Sequence, residues 1–289
     1  MTSLLRIWSS GSSAPAKHVK IDDEEHQSEV DHAFASGKAS PHCRAFKMFL
    51  LGLLFILTQL TLIAYIIYKP PKLVINFLQW KYPDVLFQAT LPPSQRVIAL
   101  SIDDAPAAST AKILDLLKTH GAKATFFVIG GQIAGYPDIL KRMHDEGHEI
   151  GNHAWADEPS VSLPLTELER QIKEVEALLP PNLNSAKYFR PGSGFFNRKM
   201  VERVKSMGYR TILGGIYPHD PQIHNAKVNA AHVISMMRPG GIIIMHDRRS
   251  YSAEQLEIVL KGLAAEKWKI ESVGGLLRAA EEAKGIKGG

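Results

Sequence analysis

From residue 96 onward the chain alternates short apolar runs with segments whose apolar residues recur at helical spacing. The runs Arg96–Ile102, Lys123–Ile129, Gly147–Asn152, Lys187–Arg190, Tyr209–Leu213, Gly241–Met245 and Trp268–Val273 read as strands. One intervening helix opens at Ser109-Thr110 and stops at Gly121, a C-terminal cap. Another opens on Thr166-x-x-Glu169, the spacing of a capping box, and stops at Pro180-Pro181. Asn197–Met207, Asn229–Met237, Ser252–Ala265 and Gly274–Ala283 complete the helical set. Strands that alternate with helices imply a parallel sheet, closed or nearly closed into an α/β barrel, with a doubly wound open sheet as the structural alternative.

Upstream the pattern changes. Met48–Tyr68 carries no charge, and only Thr58, Gln59 and Thr61 interrupt it. Its length suffices to cross a hydrocarbon core of roughly 30 Å. Lys47 and Lys69 bracket it, and Tyr65 and Tyr68 stand where an aromatic belt would lie. The run begins too far into the chain for a signal peptide and offers no small-residue cleavage site, so it predicts a single transmembrane anchor over 48–68. Residues 1–47 lack apolar periodicity and predict a disordered tail. Residues 69–95 hold five prolines and predict an extended connector packed through Phe77, Leu78, Trp80 and Phe87, leaving 96–289 as the globular domain. Three Lys/Arg precede the span closely (Lys38, Arg44, Lys47) and three follow it (Lys69, Lys72, Lys81), so charge gives no orientation.

Composition sharpens this little. A chain of 289 residues, 45% hydrophobic and with one cysteine, is neither largely disordered nor a disulfide-stapled mini-protein. The net charge of +5 falls entirely on 69–289, because the tail is balanced and the span uncharged. It is scattered there, with only short pairs such as Arg248-Arg249, so no nucleic-acid partner is expected.

Polar residues gather at the C-terminal ends of the expected strands, the edge on which parallel α/β folds mount catalytic groups. Asp103-Asp104 follow the first, His153 the third, Arg190 ends the fourth and His246-Asp247 follow the sixth. Adjacent residues at a strand end point opposite ways, so one aspartate can bind a metal while its neighbour faces a water. His153 and Asp157 lie four apart, a spacing that shares a face on a helical turn.

These residues resemble, in order, the motifs of the polysaccharide deacetylases of carbohydrate esterase family 4, the NodB-homology domain. Ser101-Ile102-Asp103-Asp104-Ala105-Pro106 resembles the family's Thr-Phe-Asp-Asp-Gly-Pro, and Asn152-His153-Ala154-Trp155-Ala156-Asp157 its Asn-His-Thr-x-x-His. Arg190-Pro191 resembles Arg-x-Pro, Asp220-Pro221 stands where the family has Asp-Trp, and Ile244-Met245-His246 resembles Leu-x-His. The resemblance covers about Arg96 to Leu277 and implies a distorted (β/α) barrel of about seven strands. It implies Asp103 as general base, Arg190 as its partner, His246 as general acid and Asp220 as its orienter. It implies Asp104, His153 and Asp157 as ligands of a divalent metal, zinc first, with cobalt or manganese as alternatives. Such an ion lowers the pKa of its bound water to about 7 and polarises the acetyl carbonyl.

Two departures stand out. Asp157 replaces the second histidine of its motif, which gives the ion a more anionic, harder set of ligands. Gly192-Ser193-Gly194 replaces the usual continuation of the third motif, in the loop where the family uses a backbone N–H against the oxyanion; Ser193 stands at that place. The implied function is a membrane-anchored, metal-dependent hydrolase that removes N-acetyl groups from a glycan such as chitin or its oligomers. Alternatives are a hydrolase of an O-acetylated glycan or small amide, and a non-catalytic glycan-binding pseudoenzyme. The implied location is a type II membrane protein with the domain lumenal or extracellular.

Overall fold

A computed structural model describes residues 41–180 and 186–285. Residues 1–40, most of the expected tail, lie outside the described residues. The chain divides into a unit up to Ala64 and a compact unit from Tyr65 onward. The described part of the first is helical: α1 spans Pro41–Tyr68, so the helix starts seven residues before the uncharged run, inside what the sequence predicts as tail. By length and composition α1 can cross a membrane, and none of its apolar stretch is buried.

The compact unit is an eight-stranded, all-parallel sheet: β1 Val85–Leu86, β2 Val97–Ala105, β3 Thr125–Val128, β4 Glu149–Asn152, β5 Tyr188–Phe189, β6 Arg210–Ile212, β7 Ile242–His246 and β8 Lys269–Glu271. The order is β1-β6-β5-β4-β3-β2-β7, with β8 also on β2. Residues just past β1 and β6 meet β7 through single bridges, Gln88 with Gly241 and Ile216 with Ile243, so the sheet curls back on itself. This is the expected distorted barrel. Inside and under it lie Ile98, Leu100, Ile102, Phe126, Val128, Ile243 and Met245, packed against the helices α3 (Thr110–Thr119) and α9 (Ser252–Ala265). β2 is buried over nearly its whole length, which is why it reads as a continuous apolar run.

Differences from the sequence reading have local causes. The stretch expected as an extended connector holds α2 (Lys72–Lys81), bracketed by Pro71 and Pro83, and then β1, which pairs with β6. Ile75 and Phe87 are buried there, whereas Phe77 and Trp80 are exposed. Thr166 is no cap: the helix Leu165–Glu176 (α6) starts before it, after Pro164, with no side-chain cap. That numbering counts two short helices the periodicity misses, α4 (Gly130–Ile133) and α5 (Pro137–Asp145). Asn197 caps α7 (Arg198–Ser206) by accepting from Met200 N. Asn225, not Asn229, caps α8 (Ala226–Ile234). The last helix, α10 (Val273–Ala283), is capped by Ser272.

Candidate active site

A cleft of about 710 Å³ opens at the C-terminal ends of the strands, and Asp103, Asp104, His153, Asp157, Arg190 and His246 all line it. Register builds its base and acid side. Asp103 on β2 is paired directly with His246 on β7. His246 Nδ1 lies 2.7 Å from Asp220 Oδ1, and its backbone N–H donates to Asp220 Oδ2 at 3.0 Å. Asp220 is 1% exposed, so this carboxylate is spent on orienting one imidazole. The other ring nitrogen, Nε2, stands 3.9 Å from Asp103 Oδ2. Burial alone would push the His246 pKa down, but the hydrogen bond it donates to Asp220 and the charges of Asp220, Asp103 and Asp104 outweigh it and hold the pKa above its ordinary 6.5.

Arg190 comes from the strand end at β5, its N–H donating to Asn152 O at 3.0 Å. Its guanidinium is buried: Nη1 is 3.4 Å from Asp103 Oδ2 and donates to Leu213 O at 3.0 Å, and Nη2 donates to Ser101 Oγ at 2.7 Å. It also lies 4.5 Å over the Phe127 ring. Asp103 is thereby fixed through Oδ2, while its buried Oδ1 has no hydrogen-bond partner. Buried polar atoms are normally satisfied, so an unpartnered carboxylate oxygen in a cleft marks a place for a water or substrate proton.

The other side of the cleft departs from expectation. Asp104 takes a left-handed φ of 62°, at an irregularity in the β2–β3 register. Both aspartates therefore face one cleft instead of opposite sides of the strand. His153 and Asp157 do not share a helical turn: Ala154 has φ 62° and the loop after β4 is irregular. Among the described residues six non-glycines have positive φ; Asp104, Ala154, Ser193, His219 and Arg248 are five of them, all in or beside this site. Backbone strain of that kind costs of order 1–3 kcal/mol per residue and concentrates at functional sites. The loop Gly192–Gly194 is tight because a Cβ on Gly192 would fall 2.1 Å from the Glu158 carbonyl oxygen. Gly192 N–H instead donates to Ser160 Oγ at 2.8 Å, and Ser193 borders the cleft.

The expected metal ligands do not come together as a set. His153 Nδ1 lies 2.7 Å from the Arg190 carbonyl, an acceptor, so Nδ1 carries the proton and Nε2 faces Asp104 Oδ1 at 3.7 Å. Asp157, the third, is ion-paired with Arg248: Nη2 is 2.5 Å from Asp157 Oδ2 and 3.3 Å from Asp104 Oδ2. Among the described residues no three His, Cys, Asp or Glu side chains converge on one point. Catalytic metal sites use three protein ligands, and here the arrangement presents two ligands and a guanidinium. It does not fit a resident ion. Burial raises the Asp104 pKa, opposed by His153, His246 and Arg248.

Sequence reasoning passed over Arg248 as one member of a basic pair. Its position two residues past His246 is a signal, but its partner Asp157 is 91 residues away and nothing local links them. Asp247, grouped with His246 by sequence, is fully buried and accepts from the hydroxyls of Ser109 and Thr110, tying β7 to the start of α3.

A family model described as polysaccharide deacetylase matches residues 90–212. A peptidoglycan-N-acetylglucosamine deacetylase of Bacillus cereus is 30% identical over 194 residues, 65% of this chain and 91% of that protein. The peptidoglycan-N-acetylmuramic acid deacetylase PdaC of Bacillus subtilis is 32% identical over 206 residues, 68% of this chain and 42% of PdaC, so the chain spans under half of that relative's length. The solved PdaC structure matches with a TM-score of 0.60 and 30% identity, over 67% of this chain and 96% of the solved one. A family 4 pseudoenzyme from Bacillus anthracis shares the fold, with a TM-score of 0.61 at 24% identity over 68% of this chain and 69% of the other.

Proposed function

The chain belongs to the polysaccharide deacetylases of carbohydrate esterase family 4, and from that premise we propose that it hydrolyses the N-acetyl group of a glycan built on N-acetylglucosamine, of the peptidoglycan or chitin kind. Deacetylases of this family generally depend on a divalent metal. The named relatives of this chain act on peptidoglycan. The observation that carries the reading is one pair of oriented groups: Asp103 fixed by Arg190 faces His246 fixed by Asp220 across 3.9 Å.

An acetamide needs a base and an acid on its two sides, because water is a weak nucleophile and an amine a poor leaving group. Asp103 Oδ1 takes a proton from a water as its oxygen bonds to the acetyl carbon. His246, protonated by virtue of its raised pKa, gives its proton to the nitrogen as the C–N bond breaks. Acetic acid and the free amine leave, and the proton on Asp103 returns to His246, 3.9 Å away, which restores both groups. Arg190 holds the Asp103 carboxyl in place throughout, and Asp220 does the same for the imidazole.

A membrane anchor in α1 is part of this reading. The last residues of α1 belong to the compact unit: the Tyr68 carbonyl accepts from His219 Nε2 at 2.8 Å, and its ring stacks 4.7 Å from His219, next to Asp220. Pro70 lines the cleft, and Leu73, Phe77 and Trp80 of α2 are exposed apolar residues of the sort that enters a membrane interface. Substrate would then be glycan on the lumenal or extracellular side of the membrane.

A second reading, a non-catalytic glycan-binding protein, is favoured by the guanidinium between Asp104 and Asp157. Acetate release from N-acetylglucosamine oligomers and from peptidoglycan, by the detergent-solubilised full chain and by Asp103→Asn, decides between them. The deacetylase reading expects release by the parent alone, and equal background from both proteins would sink it.

A further inference from the structure

Arg248 is held in place by its own backbone. Asp247 is pinned by the Ser109 and Thr110 hydroxyls and accepts the Arg248 N–H at 2.8 Å, and Arg248 then takes a left-handed φ of 64°. From there one guanidinium nitrogen reaches Asp104 on β2 and Asp157 in the loop after β4. Asp104 is 4% exposed, so its charge needs a partner close by.

We propose that Arg248 is the resident cation of this half of the cleft, seated where the family's metal would bind, and that it keeps divalent ions from Asp104, His153 and Asp157. It rests on the family reading above for where that seat lies. Three features support it. A single nitrogen touches both carboxylates, so an ion binding both has to displace it. A guanidinium is a planar fork of donors that matches carboxylate geometry, which suits it to holding two carboxylates at once. The family's second histidine, had it stood at 157, would offer Arg248 no charge to pair with. Asp157 does, so the His-to-Asp departure and the arginine at 248 make sense as one matched exchange. Arg248 is a positioning residue here: it satisfies two carboxylates and is not itself placed against substrate.

The test uses the full chain in detergent, dialysed against chelator and titrated calorimetrically with zinc, manganese or cobalt chloride. Parent, Arg248→Ala, Arg248→Gln and the double variant Asp104→Asn/Arg248→Ala are compared, the last to assign any binding to this site. The parent is expected to show no saturable binding that Asp104 controls. Both single variants are expected to take up one ion at least about tenfold more tightly, a gain of about 1.4 kcal/mol, and Asp104→Asn is expected to abolish it. Site-specific binding by the parent within tenfold of the Arg248 variants overturns the proposal, and so does a failure of both Arg248 variants to bind. Acetate release is measured on the same samples. Silence from every protein sinks the deacetylase reading while the titration still judges Arg248; release by the parent that chelator leaves unchanged supports both.

Discussion

The two sides of the cleft are built on the same strand ends and differ in how their charges are settled. On one side each charged group has one designated partner: Asp103 has Arg190, His246 has Asp220, and what is left over is an unpartnered carboxylate oxygen and a proton held above its usual pKa. On the other side Asp104 and Asp157 share one guanidinium. The first side is poised to move protons. The second already holds a cation of its own. A site can therefore keep a family's acid and base while exchanging its cation, because the two depend on different neighbours: the first on the β2–β7 register and the buried Arg190, the second on a loop and a half-exposed side chain.

The largest effect should come from breaking the first side at its centre. Asp103→Asn removes the base while keeping its shape, and acetate release should fall by about 10²- to 10⁴-fold, with an unchanged circular dichroism spectrum. Retained activity would mean that Asp103 is only Arg190's counter-ion. Arg190→Met probes the same side through stability. It leaves Asp103 buried without its partner, which costs about 3–5 kcal/mol, so thermal unfolding should drop by roughly 10 °C; a drop under about 2 °C would show the pair to be dispensable.

The next effect is a shift in pH dependence. His246 acts as an acid while protonated, and its pKa is raised, so activity persists below that value and is lost as pH rises through it. Asp220→Asn removes the hydrogen bond and the charge that do most of the raising, leaving burial to push the pKa down. The alkaline limb of the pH–rate profile should move to lower pH. An unmoved limb would assign it to another group.

How much of this the sequence carries depends on whether the cause is local. The strands are legible because β2 and β3 are buried on both faces, and β7 on one face and part of the other, and so read as apolar runs. Asp103, His153, Arg190 and His246 are legible because they follow those runs. The helix α2 hides between Pro71 and Pro83, which mark a connector as readily as a helix start. The left-handed turns at Asp104 and Arg248 are invisible, since neither residue is a glycine and each conformation is imposed by tertiary contacts. The Asp157–Arg248 pair is invisible for the same reason. What local pattern does preserve is the departure itself, an aspartate where a histidine is usual, without the partner that explains it.

The smallest effect separates the two sides most sharply. Asp157→Asn removes one of the two carboxylates on Arg248. Asp157 is 40% exposed and Arg248 30%, so the pair is screened by solvent and worth at most about 1 kcal/mol. Arg248 keeps Asp104, the buried member, so the neutralisation that matters survives. Acetate release should change by less than about fivefold, within what 1 kcal/mol permits, and the unfolding temperature by a few degrees at most. A ligand of an essential metal behaves otherwise, since its loss removes the ion and the activity with it. A hundredfold loss for Asp157→Asn, restored by Asp157→His, would return the second side to metal chemistry and make the guanidinium a displaceable cover.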